Sequence, residues 1–317
     1  MSYDQLAQHA IQLERSAVIM DMRQRGFGYD SDENRFWDSF MDDEVVRSAA
    51  DLTAAKFSGV ADLFTPFLGM PDPEAFIPLR DVLAQAATTL NHEKGELPYN
   101  AASVLTNPDL GLMDDVKGLV KDWYGEAGHK FKSDYLSKWD SITSNQFALV
   151  IALKGGIEAE HALWREARKN VDDLAHQAQA SLDSMLDCNP KDVAFLLTVA
   201  GSIFAVGASV STGGLAIGLT IVGEAFASGA AVPMADKEKV TFSGRNAGEI
   251  VNGIRDALAK LSAQIVAAET VIRDAMDNAL GVLHQNPDRI IAPRPGLADA
   301  TAATIRDDVL GLGTAEG

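Results

Sequence analysis

The feature that most constrains the fold is a long uncharged segment between two stretches with a helical pattern. No charged side chain occurs from Val193 to Gly223, whereas Asp192 and Glu224 stand directly outside that segment. Its two arms, joined by a Ser-Thr-Gly-Gly turn, are each shorter than about 20 residues, close to the ~17 that a helix needs to cross a bilayer. The segment predicts an apolar helical hairpin, either a buried cap on a helical bundle or a hairpin that enters a membrane.

The predicted hairpin insert spans about 193–232. Glycine and alanine are frequent in it, and small residues let two apolar helices approach closely. The residues that we select as its candidate membrane-contacting positions are Phe195, Leu196, Ile203, Phe204, Val206, Gly207, Gly213, Gly214, Leu215, Ile217, Gly218 and Ile221.

Two long helices are predicted on either side of this insert. The stretch 125–187 has no proline and repeats apolar residues at spacings of three and four, and the stretch 246–285 keeps a near-heptad spacing. The second stripe consists of Ile250, Ile254, Leu258, Leu261, Ile265, Ala268, Ile272, Ala275 and Ala279. We therefore expect an all-α, elongated helical bundle, with the two long helices antiparallel and the apolar helical hairpin between them.

The rest of the chain predicts shorter helices and a loose end. Helical patterns cover 3–25, 42–65 and 74–91, and a fourth helix begins where Asn107 and Pro108 form an N-cap and first-turn pair. The expected organisation is an N-terminal helical region at 1–106, the hairpin bundle at 107–286 and a flexible tail at 287–317.

Charge and cysteine content exclude several classes of protein. The chain carries 27 Lys and Arg against 45 Asp and Glu, a net charge of -18, which argues against nucleic acid as a partner. Binding to anionic lipid through surface charge is disfavoured for the same reason. A lone Cys188 excludes an internal disulfide and a cysteine-based zinc site. No ordinary secretory signal is recognisable at the N-terminus.

Catalytic and metal-binding patterns are weak. Glu126 to His129 and Glu158 to His161 both have Glu-x-x-His spacing, but on one continuous helix they would lie about 48 Å apart and could not share a metal. His9, His92, His176 and His284 have no partner at metal-ligand spacing along the sequence. We therefore expect a protein that is not an enzyme, with no cofactor and no metal ligand. A helical enzyme or metal protein stays the weaker alternative, which metal bound in stoichiometric amount would favour.

A tryptophan-glycine turn separates the fourth helix from the long one. Trp123-Tyr124-Gly125 is followed by aromatic residues at Phe131 and Tyr135. Gly125 permits a tight turn between helices, and Trp123 is positioned to wedge against both of them. This pattern resembles the WXG-type helical hairpins exported by type VII (ESX) secretion systems of actinobacteria. The resemblance covers about residues 108–285, and its sharp motif is the turn.

The resemblance implies export without a cleaved signal peptide, as a folded helical protein without catalytic residues. Its implied partners are another helical protein or a second copy, and the secretion machinery; its implied location is the medium or the cell envelope. Without it, the expected location is the cytoplasm. Tyr29 and Glu33 match the family's Tyr-x-x-x-Asp/Glu export signal, although they follow the first helix and precede the turn.

The order of long helix, apolar hairpin and long helix also resembles the layout of α-helical pore-forming toxins. In this alternative the hairpin at 193–232 inserts into a membrane. The two interpretations are compatible, because a secreted protein can also act on membranes.

Overall fold

A computed structural model describes the protein at residues 3–91, 106–185, 193–197, 238–242 and 246–292. These residues are mostly helical, which confirms the predicted all-helical class at that coarse level. The strands among them form two short antiparallel pairs, and the sequence analysis predicted neither.

The helices lie close to the predicted ranges. The N-terminal helices are α1, Leu6–Gln24; α2, Asp43–Phe57; and α3, Ile77–Leu90, with short 3-10 turns at Tyr3–Gln5, Ala61–Phe67 and Pro73–Phe76. After Asn107, a 3-10 turn at Pro108–Gly111 leads into α4, Leu112–Leu119. The Asn107 side chain accepts a hydrogen bond from the Asp109 backbone N–H, as expected of an N-cap.

Two long helices follow. Helix α5, Glu126–Lys130, continues through a π-helical turn, Phe131–Leu136, into α6, Ser137–Ser184, and α7 covers Ala247–Gln285. A last helical turn, α8, covers Pro287–Ile290. All nine positions of the near-heptad stripe of α7 are buried, which confirms the face that the sequence predicted.

The described residues divide into two compact units. One consists of 3–75, 159–185, 193–197, 238–242 and 246–270, the other of 76–91, 106–158 and 271–292. The boundary falls within α6 and within α7. The predicted domain limits at 106 and 286 stay predictions.

In the first unit, α1 packs on α2 and on the turn Ala61–Phe67. Met22, Phe27 and Val46 form a core cluster there, and Phe36 packs against it. From the second half of α6, Arg168 donates a hydrogen bond of 2.8 Å to the Met70 carbonyl oxygen. The side chains that α6 buries completely in this unit include Leu163, Val171, Leu174 and Leu182.

In the second unit, the first half of α6 contacts the end of α7 and α8. Ala152 packs with Ala275 and Ala279. Gln146 Nε2 donates to the Ile290 carbonyl oxygen at 2.7 Å, and Asn145 Nδ2 donates to the Arg289 carbonyl oxygen at 2.9 Å. Small residues at this contact allow the helices to approach closely.

Two segments differ from prediction because short local patterns do not distinguish a helix or loop from a strand. Strand β1, Gly28–Asp30, pairs with β2, Arg35–Trp37, so a hairpin lies between the predicted helices at 3–25 and 42–65. Strand β3, Val193–Leu197, pairs with β4, Glu238–Phe242, which corrects the prediction that the apolar hairpin is helical from 193. A five-residue apolar run fits either structure, and pairing with a distant strand decides between them.

Candidate functional site

The turn before the long helix has the backbone conformation that its glycine permits. Gly125 has φ +90°, in the left-handed region, and its carbonyl oxygen accepts a bond of 3.0 Å from the His129 N–H. Lys132 Nζ donates to the carbonyl oxygens of Lys121, at 3.2 Å, and Trp123, at 2.7 Å. One lysine therefore binds two backbone carbonyl groups of the turn that follows α4.

Aromatic side chains run from this turn along the following helix. The ring centroids are 5.8 Å apart for Trp123 and Phe131, 5.5 Å for Phe131 and Tyr135, and 5.7 Å for Tyr135 and Trp139. We call Trp123, Phe131, Tyr135 and Trp139 the aromatic row. Trp139 was missed in the sequence analysis, although its spacing of four residues from Tyr135 is a usable signal.

The aromatic row is not a buried core. Trp123 is 53% exposed, which corrects the expectation that it wedges between two helices. Tyr124 and Leu119 beside it are more exposed still. Gly128, also missed, lets the helix backbone lie close to Trp123, because a Cβ at Gly128 would stand 3.1 Å from the Trp123 Cβ. The result is a half-exposed apolar surface at the turn.

The candidate export signal lies in the β1–β2 hairpin. Tyr29 is in β1, its hydroxyl donates to Asn34 Oδ1 at 2.7 Å, and Arg15 Nη2 donates to the same hydroxyl at 2.9 Å. Glu33 stands in the connecting turn, 3.3 Å from an Arg35 guanidinium nitrogen. The two signal residues thus belong to a hairpin that α1 holds through Arg15.

Of the candidate membrane-contacting residues, two are described. Phe195 and Leu196 lie in β3, opposite Val240 and Lys239. The other ten, from Ile203 to Ile221, lie outside the described residues. Within the ranges that are described, no helix combines the length and the apolarity needed to cross a bilayer.

A cluster of His9, Asp172 and His176 was missed. Each residue offers one ligand atom, and the three atoms lie within 4.8 Å of one another, the one such group of three in the described chain. His9 Nδ1 is 3.4 Å from Asp172 Oδ1, and the two imidazole rings meet edge to face at 4.5 Å. This corrects the conclusion that His9 and His176 have no partner at metal-ligand spacing, which considered neighbours in sequence alone.

A second buried group with unusual electrostatics lies on the same helix. Burial, with the Glu269 carboxylate nearby, raises the pKa of Glu160 above its ordinary value of 4.5, against a lowering contribution from the hydrogen bond that Trp164 Nε1 donates to it at 2.8 Å. In the described part of the chain, Glu160 and Glu269 belong to no group of three potential metal ligands. We treat it as a determinant of stability.

The chain matches no family profile, no curated protein and no solved structure at a significant level.

Proposed function

We propose that this chain is a non-enzymatic helical protein that is exported by, or associated with, a type VII secretion system and acts through protein–protein contact. The observation that carries the proposal is the turn at Trp123–Gly125. It combines a left-handed glycine with an aromatic row whose tryptophan is half exposed. A surface of this kind, once covered by a partner, supplies the large buried aromatic area typical of interface anchors.

The partner that we propose is an amphipathic helix, from another helical protein or from a second copy of this chain. The exposed apolar residues on α4 and at the turn after it are Leu112, Leu119, Trp123 and Tyr124. A helix that lays an apolar stripe on them removes this area from water.

We also propose the finer architecture predicted from the sequence, in which the two long helices pair antiparallel within an elongated bundle. Contacts in the second unit support it. Residues early in α6, such as Asn145, contact α8 after the end of α7, whereas Gly156 contacts Met276 earlier in α7. Later residues of α6 therefore contact earlier residues of α7, as expected of an antiparallel pair.

Export is tested by fractionating the native host into cytosol, membrane and medium, with and without a working type VII ATPase. We expect the intact chain in the medium or envelope only when the ATPase works. We further expect Gly125→Val to reduce export, while Gly118→Ala in the neighbouring helix leaves it unchanged. Retention in the cytosol regardless of the ATPase contradicts the proposal.

Contact through the turn is tested by light scattering after size-exclusion chromatography and by co-purification from the host. We expect Leu119→Asp to weaken self-association or partner capture. Leu79→Asp is the matched control, because Leu79 is also exposed and lies on α3. If the two variants behave alike, the surface at the turn is not the contact site.

A second candidate function, membrane insertion in the manner of α-helical pore-forming toxins, has its own supporting observation. The register of β3 and β4 places Leu197 opposite Glu238, so the two residues that flank the stretch 198–237 are held together. With its flanking residues paired in this way, the segment can enter a membrane without unfolding the helices on either side.

Insertion is tested by dye release from neutral phosphatidylcholine vesicles, since the negative net charge disfavours anionic lipid. We expect release by the native chain and its loss on Ile217→Asp or on charging Gly207. Ile11→Asp, at an exposed position of α1, is the control and should release dye normally. No release by the native chain, or equal release by all variants, excludes insertion of this segment.

A further inference from the structure

We propose that His9, Asp172 and His176 form a binding site for a divalent transition-metal ion, with zinc as the first candidate. His9 comes from α1, and the other two residues stand four apart on α6, so one helical face presents both. Two imidazoles and one carboxylate form a ligand set that suits zinc and its neighbours better than magnesium or calcium, which prefer oxygen alone.

The separation of the ligand atoms fits a shared ion better than a hydrogen bond. His9 Nδ1 and Asp172 Oδ1 are 3.4 Å apart, yet they make no hydrogen bond. Two ligands that each stand about 2.0–2.1 Å from a tetrahedral zinc ion are about 3.3 Å from each other. A bridging ion therefore accounts for the observed spacing.

Both of these atoms are buried without a partner. His9 Nδ1 and Asp172 Oδ1 have almost no contact with solvent and no hydrogen-bond partner in the described chain. A buried polar atom left unpaired is costly, and an unpaired carboxylate oxygen more so. One cation between them would satisfy both atoms at once.

His176 makes a hydrogen bond to the backbone of its own helix. Its Nδ1 lies 2.8 Å from the Asp172 carbonyl oxygen. A carbonyl oxygen only accepts, so Nδ1 carries the proton and Nε2 is the unprotonated ring nitrogen. A hydrogen bond from the second ring nitrogen to a carbonyl is the usual support of a histidine ligand.

The site has a buried side and an open side. The side chains of His9 and Asp172 are 11% and 14% exposed, whereas that of His176 is 35% exposed. Three protein ligands with one side open leave the fourth position of the metal to water. A bound ion would link α1 to α6, beside the hydrogen bond of 2.8 Å between Gln179 and Ser16.

The test begins with the full chain stripped of metal by a chelator and titrated with Zn²⁺ by calorimetry. We expect one Zn²⁺ per chain, a rise in melting temperature because the ion binds the folded state, and no such rise with Mg²⁺ or Ca²⁺. With Co²⁺ we expect the intense visible bands of tetrahedral coordination. Substoichiometric binding of Zn²⁺ by the native chain overturns the proposal.

Matched variants distinguish metal binding at this site from non-specific metal binding to the acidic surface. We expect Asp172→Asn and His9→Ala each to weaken binding by at least about 100-fold, because loss of even an outer-shell partner costs 10- to 100-fold. The controls are Asp173→Asn, the exposed neighbour paired with Lys169, and His284→Ala in the exposed last turn of α7. Equal effects of control and site variants overturn the proposal.

A variant that fails to fold is replaced by a measurement on the native chain. X-ray absorption at the zinc edge of the loaded protein should show nitrogen and oxygen ligands only, including the multiple-scattering signature of two imidazoles. A spectrum without imidazole scattering counts against the site as firmly as a failed titration.

Discussion

At the scale of single residues, Gly125 carries the turn that joins α4 to the long helix. Its φ of +90° is a conformation that a residue with a Cβ adopts at a cost of about 1–2 kcal/mol. We expect Gly125→Ala to lower the free energy of unfolding by that amount, measured by urea denaturation.

The matched control for this substitution is seven residues earlier. Gly118 lies within α4, and a Cβ added there meets nothing within 4 Å. Gly118→Ala should raise stability by up to about 1 kcal/mol, because alanine favours the helix. A loss of stability in both variants would mean that the turn is not the sensitive element.

The raised pKa of Glu160 predicts how the free energy of unfolding depends on pH. Burial raises its pKa in the folded protein, so its contribution to stability is present in acid and is lost as the pH rises through the folded-state pKa. We expect Glu160→Gln to raise the free energy of unfolding near neutral pH and to leave it unchanged below about pH 4, where the group is protonated in both states. The amide oxygen still accepts from Trp164.

Urea denaturation at the two pH values measures this effect. Glu74→Gln is the control, since Glu74 is exposed and its substitution removes the same charge. If the control shows the same pH dependence, net charge rather than the burial of Glu160 is responsible.

At the scale of elements, Gly156 on α6 lies against Met276 on α7 within the second unit. A Cβ at Gly156 would overlap Met276 Cε and would stand 2.7 Å from its sulfur. Because the end of the Met276 side chain is flexible and can move partly aside, we expect Gly156→Val to destabilise the protein by about 1 kcal/mol, the lower end of the overpacking range, measured by thermal and urea unfolding.

A double-mutant cycle ties that loss to this contact. Met276→Ala removes the atoms in the way, so it should cost less in the Gly156→Val background than in the native chain. Gly281→Ala, on the same helix with nothing within 4 Å, should be neutral or stabilising. Additive effects of Gly156→Val and Met276→Ala would contradict the proposed clash.

Helical elements were predictable because the burial of a helix repeats along its own sequence. Every position of the α7 stripe from Ile250 to Ala279 is buried, and Asn107 caps its turn as predicted. The strands were not predictable in this way, since β3 is a strand only because it pairs with β4, more than forty residues further along the chain. A run such as Val193–Leu197 has no local feature that selects that partner.

At the scale of the whole molecule, the β3–β4 pair predicts that residues 198–237, which include most of the uncharged segment, can be removed. Leu197 and Glu238 are opposite each other, so residues 198–237 can be replaced by Asn-Gly, the preferred two-residue hairpin turn. We expect this variant to keep its helical circular dichroism and cooperative unfolding, and to lose any release of vesicle contents. Loss of cooperative unfolding would show that the segment belongs to the core.

The sequence by itself determined the helical class, the buried face of α7, the cap at Asn107 and the glycine at the turn, because each depends on residues within one or two helical turns of each other. Tertiary structure alone decided that Trp123 is half exposed and that β3 is a strand. It also brought His9 within reach of Asp172 and His176, across more than 160 residues of chain. Local spacing carries no information on such a meeting, because it arises only when α1 packs against α6.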